Sequence, residues 1–338
     1  VFLFFSIISS AQELDKNKHY AVSCIAFYNF ENLFDTLDTE NVRDTEFTPQ
    51  GDKQWNTQKY YEKLDHMAIV VSQLGIEVNP DLPAILGVAE IENRSVLEDF
   101  VKTEKVSSRN YQIVHYDSPD KRGVDVAMLY NPKYFKELSS KSYTLKIEGD
   151  TNFFSRDQLL VTGELHGERV HVLVAHWPSR RGGEKRSGPK RMAAAQLGKS
   201  VVDSILAAEP NAKIFYMGDL NDDPVNKSVK NGMNSKGNKK DMDNTSMYNP
   251  MEDYYKKGIG TLAWKDSWNL FDQILISNEL IKEDLSTYCY YSAKIFNKDF
   301  LKQQSGNFAG YPYRTYVGSN YMGGYSDHFP ITCTIDIL

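Results

Sequence analysis

The chain of 338 residues is poor in cysteine, with only Cys24, Cys289 and Cys333. An odd number cannot form a full disulfide framework, and the spacing is not that of a thiolate metal site. Cys24 and Cys333 fall in strand-like runs and read as core thiols. There is no excess of positive charge: 39 Lys and Arg against 45 Asp and Glu leave a net charge of -6. That argues against a protein that coats polyanions with its whole surface, but it leaves room for a local basic site. No internal repeat is visible. Beyond the N-terminus no apolar run is long enough to cross a membrane, so no stable membrane insertion is expected. Ser179 and Ser326 lack a nucleophile-elbow context, so serine hydrolysis is unsupported. Asp219-x-Asn221-x-Asp223 begins like a calcium-binding loop, but Pro224 and Lys230 stand where that loop needs Gly and Glu.

What remains is an ordinary soluble globular composition, 41% hydrophobic and 25% charged, enough for a sizeable core. The start, "VFLFFSIISSAQ", is a short apolar run followed by Ser9, Ser10 and Ala11. Residues 1–11 read as the remnant of a secretory signal peptide, with cleavage after Ala11 and a secreted or periplasmic location. Strands are expected at 20–30, in "LPAILGVAEI", "YQIVHY", "VDVAMLY", "QLLVTGEL", "RVHVLVAHW", "KIFYMGDL", "FDQILIS" and "HFPITCTIDI". Helices are expected over 57–75 and 190–208. Residues 226–260, rich in Lys, Asn, Ser, Gly and Met, read as a long, partly mobile polar insertion rather than a linker. One domain over 20–338 follows. Many strands with two separated helices suggest an α/β sandwich of two central sheets with helices outside.

The polar residues of interest sit at the ends of those strands. Asn29 and Glu31 follow the first. Glu90 ends "AILGVAE", Asp125 begins "VDVAMLY" and His176 ends "VHVLVAH". Asp219 and Asn221 follow "KIFYMG", Asp272 begins "FDQILIS", and Asp327 and His328 precede the last strand. Such groups can meet at one rim of a sandwich, where rigid strands hold loops that carry chemistry. Asp222 and Asp223 are expected to cap and turn the loop after Asp219. His19, His66 and His115 have no suggestive carboxylate partner and read as surface or structural.

Taken in order, "YNFENLFD", "LGVAEIEN", "RGVDVAMLY", "AHWPSRRGG", "GDLNDDP", "WNLFDQILIS" and "GYSDHFPI" resemble the endonuclease/exonuclease/phosphatase superfamily, with "NFENLFD" and "EIEN" nearest to its extracellular nucleases. The resemblance runs from about Tyr20 to the C-terminus. It implies a four-layer α/β/β/α sandwich with two central, mostly antiparallel sheets, the DNase I-like fold, and metal-dependent hydrolysis of phosphate esters. It implies Glu90 as a ligand for Mg2+ (or Mn2+ or Ca2+), with Asp327 and Glu31 as further metal residues and Glu92 and Asn93 behind them. By the same resemblance Asn29 holds a phosphate oxygen or an inner-shell water. Asp219 orients and deprotonates the attacking water and Asn221 fixes its geometry, while Asp125 holds His176, Asp272 holds His328, and two imidazoliums face the phosphate. A positioned base contributes about 10²–10⁴-fold.

The expected substrate is nucleic acid, DNA first and RNA second. "PSRRGGEKRSGPKR" (178–191) reads as a loop carrying Arg180, Arg181, Lys185, Arg186, Lys190 and Arg191 over the site, where a phosphate backbone would lie. Arg122 and Arg314 are further phosphate contacts. Tyr311, Tyr313, Tyr316 and Tyr321 are available to stack on bases or to pack their own loop. The alternative is a phosphoesterase acting on inositol phosphates, phospholipid headgroups or small phosphodiesters. It would want an exposed apolar hairpin, for which only Trp264 and Trp268 offer a hint. A non-catalytic binding protein comes third. No protein partner is inferred.

Overall fold

The computed structural model describes residues 21–282 and 285–337. The expected signal remnant at 1–11 and His19 lie outside them. The first half of the chain runs β1 (Ala21–Leu33), α1 (Thr57–Val71), β2 (Ile85–Ile91), α2 (Arg94–Phe100), β3 (Gln112–His115), β4 (Asp125–Tyr130), β5 (Phe135–Tyr143), β6 (Gln158–Leu165) and β7 (Glu168–His176). Then follow α3 (Glu184–Ala208), β8 (Lys213–Asp219), β9 (Ser235–Lys236), β10 (Met247–Tyr248), α4 (Met251–Lys256), β11 (Leu262–Trp264) and β12 (Ser267–Asn269). The last strands are β13 (Asp272–Ser277), β14 (Cys289–Ile295), β15 (Tyr316–Val317), β16 (Asn320–Tyr321) and β17 (Ile331–Ile337).

One sheet has the order β14-β17-β1-β2-β4-β3 and the other β5-β6-β7-β8-β13-β10-β9. Most neighbours are antiparallel; β1/β2, β7/β8 and β9/β10 are parallel. The sheets face one another, as the alternation of side chains shows. Phe215 and Met217 of β8 join the core that holds Phe27, whereas Ile214 and Tyr216 pack with Ala194 and Val202 of α3. A Cβ at Gly87 would lie 2.7 Å from Met217 Sδ, so β2 and β8 approach closely across the interface. On the outer side of the first sheet α1 buries Leu64, Met67, Ala68 and Val71, an i, i+3, i+4, i+7 stripe. Its N-cap Asn56 accepts the Lys59 N–H at 3.0 Å. This is the expected sandwich with helices on its outer faces.

Two expectations are corrected here, and one strand is added. The helix after β7 starts at Glu184, not at 190, so most of the basic 178–191 stretch is helix rather than loop. The Gly-rich start hid this, and so did Pro189 inside the helix; Arg191, fully buried, reaches Asp222 Oδ1 at 2.7 Å and anchors that turn. Residues 226–260 are not a loose insertion. They supply β9 and β10 to the edge of the second sheet, and Asn249 Nδ2 donates to Gln273 Oε1 at 2.7 Å. Strand β5, "FKELSSKSY", escaped notice because it is polar on both faces. The three cysteines are buried thiols. Among the described residues no helix is long and apolar enough to cross a membrane.

Candidate active site

The alternation that builds the core also builds the site. Val172 and Val174 of β7 and Phe215 and Met217 of β8 point between the sheets, so the next inward positions are His176 and Asp219. Ile274 and Ile276 of β13 do the same for Asp272, and Ile25 and Phe27 of β1 for Asn29. These side chains therefore gather at one rim, where the apolar filling ends. At Gly218 a Cβ would stand 1.9 Å from the Ala175 carbonyl oxygen, so only glycine lets β8 close on β7 beside Asp219.

Asp219 Oδ2 is the meeting point. Asn29 Nδ2 donates to it at 3.2 Å, His176 Nε2 lies 3.5 Å away and His328 Nε2 3.9 Å away. Its Oδ1 accepts the Asn221 N–H at 2.9 Å, and Asn221, in a left-handed conformation (φ 50°), donates Nδ2 to the Trp177 carbonyl at 3.0 Å. Burial, with Asp272 and Glu90 close by, pushes the Asp219 carboxyl up to about 7, against the pull of His328. A group poised there suits a general base near neutral pH.

Asp272 holds His328 as expected, with Oδ2 2.7 Å from Nδ1. Burial disfavours the imidazolium, but Asp272, Asp327 and Asp219 around it outweigh that and hold His328 well above its ordinary value. Ser326 Oγ donates to the Asn29 carbonyl at 2.7 Å and accepts the His328 N–H at 3.1 Å, which locks the "SDH" turn onto β1.

Asp125 does not hold His176. Met128 pairs with Gly87, which faces the second sheet, so three residues earlier Asp125 faces the opposite way. There it accepts from His115 Nε2 at 3.0 Å, from the Ser118 N–H at 3.0 Å and from Ser118 Oγ. His176 Nδ1 has no partner among the described residues. Burial, with Arg156, Arg122 and His328 nearby, holds His176 well below its ordinary value, so it enters as neutral imidazole rather than as a second imidazolium.

The carboxylates read as metal residues lie on neighbouring bulges. The β1/β2 register shifts between Asn29 and Leu33, and the β2/β4 register between Ala89 and Ile91. Glu31 (φ 47°), Asn32 (φ 52°) and Glu90 (φ 59°) are all left-handed, a strain that rigid surroundings maintain and that concentrates at functional sites. Glu90 Oε2 accepts the Asn32 N–H at 3.1 Å, and its Oε1 lies 3.8 Å from His176 Nε2 and 3.7 Å from Arg122 Nη2. Asp327 lies 3.8 Å from His328 Nε2 and 3.7 Å from Arg314 Nη2. These contacts are too long for hydrogen bonds. Glu90 Oε1 and both Asp327 oxygens thus remain available, and such hard donors fit Mg2+ or a similar cation. Glu31 is more committed: Oε2 accepts the Thr315 N–H at 2.7 Å. Burial and Asp327 push its carboxyl up to about 7 while Lys63 opposes.

Another group of potential ligands among the described residues, His115, Asp117 and Asp125, lies with Asp125 on the outward face of the first sheet, where Asp125 already accepts from His115 and Ser118. Glu92 holds the loop after β1, with Oε2 accepting the Asp35 N–H at 2.6 Å and Oε1 accepting from Thr39 Oγ1 at 3.1 Å, and Asn93 caps α2. Asp222 and Asp223 do more than turn a loop: both are buried, and Arg180 Nη2 lies 3.1 Å from each. Arg180 also donates Nε to the Asn221 carbonyl at 2.9 Å and stacks on Phe271. It is thus a clamp on the Asp219 loop, not a free phosphate contact. Arg181 and Arg186 are exposed, while Arg122 and Arg314 stay beside the metal carboxylates. Arg156 went unnoticed in the sequence: it is buried, pairs with Asp120 Oδ2 at 3.0 Å, and donates to the Trp177 carbonyl that Asn221 also uses. An Arg opening a strand-like run, "SRDQLL", was the available signal.

Residues 24–336 match the model of the Endonuclease/Exonuclease/phosphatase family. The chain belongs to that family. A humanised TDP2 from D. rerio is similar at 14% identity over 93% of this chain and 98% of that one, with a TM-score of 0.56. An endonuclease/exonuclease/phosphatase family protein of Bacteroides thetaiotaomicron gives 14% identity, 95% and 96% coverage, and 0.54. A D. rerio TDP2 complexed with single-strand DNA product gives 14%, 93% and 99%, and 0.51. No curated protein matches by sequence. Family membership makes the chain a phosphoesterase of DNase I-like fold, and divalent-metal dependence is characteristic of that family.

Proposed function

We propose that this family member is an exported, Mg2+-dependent nuclease that hydrolyses DNA phosphodiester bonds. The observation that carries the proposal is the convergence of Asn29, His176 and His328 on Asp219 Oδ2, beside the carboxylates Glu90 and Asp327. Glu90 and Asp327, with Glu31 behind them, would hold a divalent cation there, which would supply charge neutralisation for the phosphoryl oxygens. The chain's own residues do the rest. Asp219, when ionised, takes a proton from the attacking water, and Asn221 keeps its carboxylate turned to that task. Asn29 donates to a phosphate oxygen. The His328 imidazolium faces the developing charge, and neutral His176 donates or accepts one hydrogen bond without adding charge.

Support for nucleic acid comes from the surroundings. Arg122 and Arg314 flank the carboxylates. A cleft of about 540 Å3, lined by Trp264, Lys265, Phe308, Tyr311, Arg314 and Val317, adjoins the Asp327 side of the rim through Arg314 and offers aromatic faces for a base. The similar TDP2 with single-strand DNA product adds support at the level of fold. Export rests on the apolar N-terminal run alone, and cell fractionation tests it. Purified protein with Mg2+ is expected to nick supercoiled plasmid, and chelator or Asp219→Ala to abolish nicking. Intact plasmid with Mg2+, Mn2+ and Ca2+ in turn would sink the nuclease reading.

A second reading has its own observation. Strands β11 and β12 form a hairpin whose turn residues Lys265 and Asp266 are left-handed (φ 49° and 60°), and Trp264 on it is 64% exposed. An exposed Trp on a hairpin beside the cleft suits a phospholipid headgroup substrate. Release of phosphate or headgroup from vesicles, lost in Trp264→Ala, would favour that reading over DNA.

A further inference from the structure

One buried charge near the site has no part in the chemistry above. Lys63 lies on α1 with its side chain 1% exposed. An ammonium buried so deeply is costly unless oxygens surround it. They do: Nζ donates to Thr315 Oγ1 at 2.6 Å and to the Tyr325 carbonyl at 2.6 Å, and lies 3.8 Å from Glu31 Oε2. Glu31 Oε2 accepts the Thr315 N–H as well. A hydroxyl, a carbonyl and a carboxylate are the donors that hold hard metal cations. Burial lowers the Lys63 value, while Glu31, Asp327 and Glu90 around it oppose that and favour the ammonium. Three separate segments meet at this nitrogen: the β1 bulge, Thr315 before β15, and Tyr325 before the "SDH" turn.

We infer that Lys63 is a built-in cation, its ammonium filling an oxygen-lined position beneath Glu31 that would otherwise take a second metal ion. The enzyme therefore works with one exchangeable divalent ion, at Glu90 and Asp327. This rests on the metal-dependent reading of the rim given above. Lys63 is a positioning residue: it acts by fixing Glu31 and the segment that carries Thr315 and Tyr325.

The test is a Mn2+ titration of the full chain followed by electron paramagnetic resonance, which counts bound ions without reference to activity. Wild type is expected to bind one Mn2+. Lys63→Ser, which removes the ammonium and leaves the oxygens, is expected to bind two, and adding Glu31→Gln to it should return the count to one. Two ions in wild type, or one in folded Lys63→Ser, overturns the inference. If Lys63→Ser is unfolded without metal, Mn2+ must restore its thermal transition, since a ligand that binds only the folded state stabilises it; no recovery counts against the inference. Wild type that binds no Mn2+ overturns the metal reading of the rim, and this inference with it.

Discussion

Asp272→Asn isolates the electrostatic part of the proposed mechanism. Asp272 is fully buried and its Oδ2 lies 2.7 Å from His328 Nδ1. Asparagine keeps the shape and removes one negative charge. Breaking a buried ion pair costs about 3–5 kcal/mol, and without the Asp272 charge burial pulls the His328 value down from its raised position. The balance at His328 then moves toward the neutral imidazole. Losing one preorganised positive charge that faces the phosphate costs about 10²–10³ in kcat. The sign of the stability effect also follows. His328 in wild type is raised, so its contribution is complete below its unfolded value near 6.5 and fades as pH rises through the folded value; the variant should lack that dependence. Nitrogen-detected NMR titration of His328, with plasmid nicking rates, reads both quantities. A His328 titration unchanged from wild type, or a kcat within about a factor of three of it, would refute the reasoning.

Other expectations follow from neighbouring groups. Because Asp219 sits at about 7, kcat/KM should climb with pH and level off above that value; a profile flat from about pH 5 removes Asp219 as the base. The same raised carboxyl makes metal-free wild type lose stability as pH rises from the unfolded value of 3.8 through about 7. Melting curves should therefore show Asp219→Asn gaining on wild type over that range, and a constant difference would contradict the shift. Asp125→Ala should cost roughly 1–3 kcal/mol of stability by stranding His115 and Ser118, yet leave kcat nearly unchanged; a large kcat loss would restore its pairing with His176. Glu90→Gln should raise the Mg2+ concentration for half-maximal rate by about tenfold or more, and an unchanged requirement would exclude Glu90 as a ligand.

Much of the site was legible because its residues end long apolar strands. "VHVLVAH", "KIFYMGD" and "FDQILIS" carry enough consecutive core residues that His176, Asp219 and Asp272 must sit at a rim. Asp125 shows the limit. It also adjoins an apolar strand, but a strand buried on both faces gives no sign of which way its polar end points. Only the pairing of Met128 with Gly87 decides that. The helical start of α3 was hidden by glycines and Pro189, whose local preferences yield to the burial of Arg191 against Asp222. Lys63 was illegible for a different reason. In "YYEKLDHM" it looks like a solvated helix lysine, and its acceptors come from residues far away in sequence.

The bond from Ser326 Oγ to the Asn29 carbonyl joins residues 297 positions apart. Strand β17 pairs with β1 along its length, and the "SDH" turn comes just before it. A ribosome that has synthesised the chain through Tyr325 has therefore made Glu31, Glu90 and Asp219 but neither Asp327 nor His328. It has also not made the strand that pins β1 from its other side. The proposed site is therefore complete only when the two extremes of the fold meet, and long-range closure of this kind is slow. A chain cut before Asp327 would lack the Asp327 carboxylate and the His328 imidazole at the rim, and with them the strand that flanks β1.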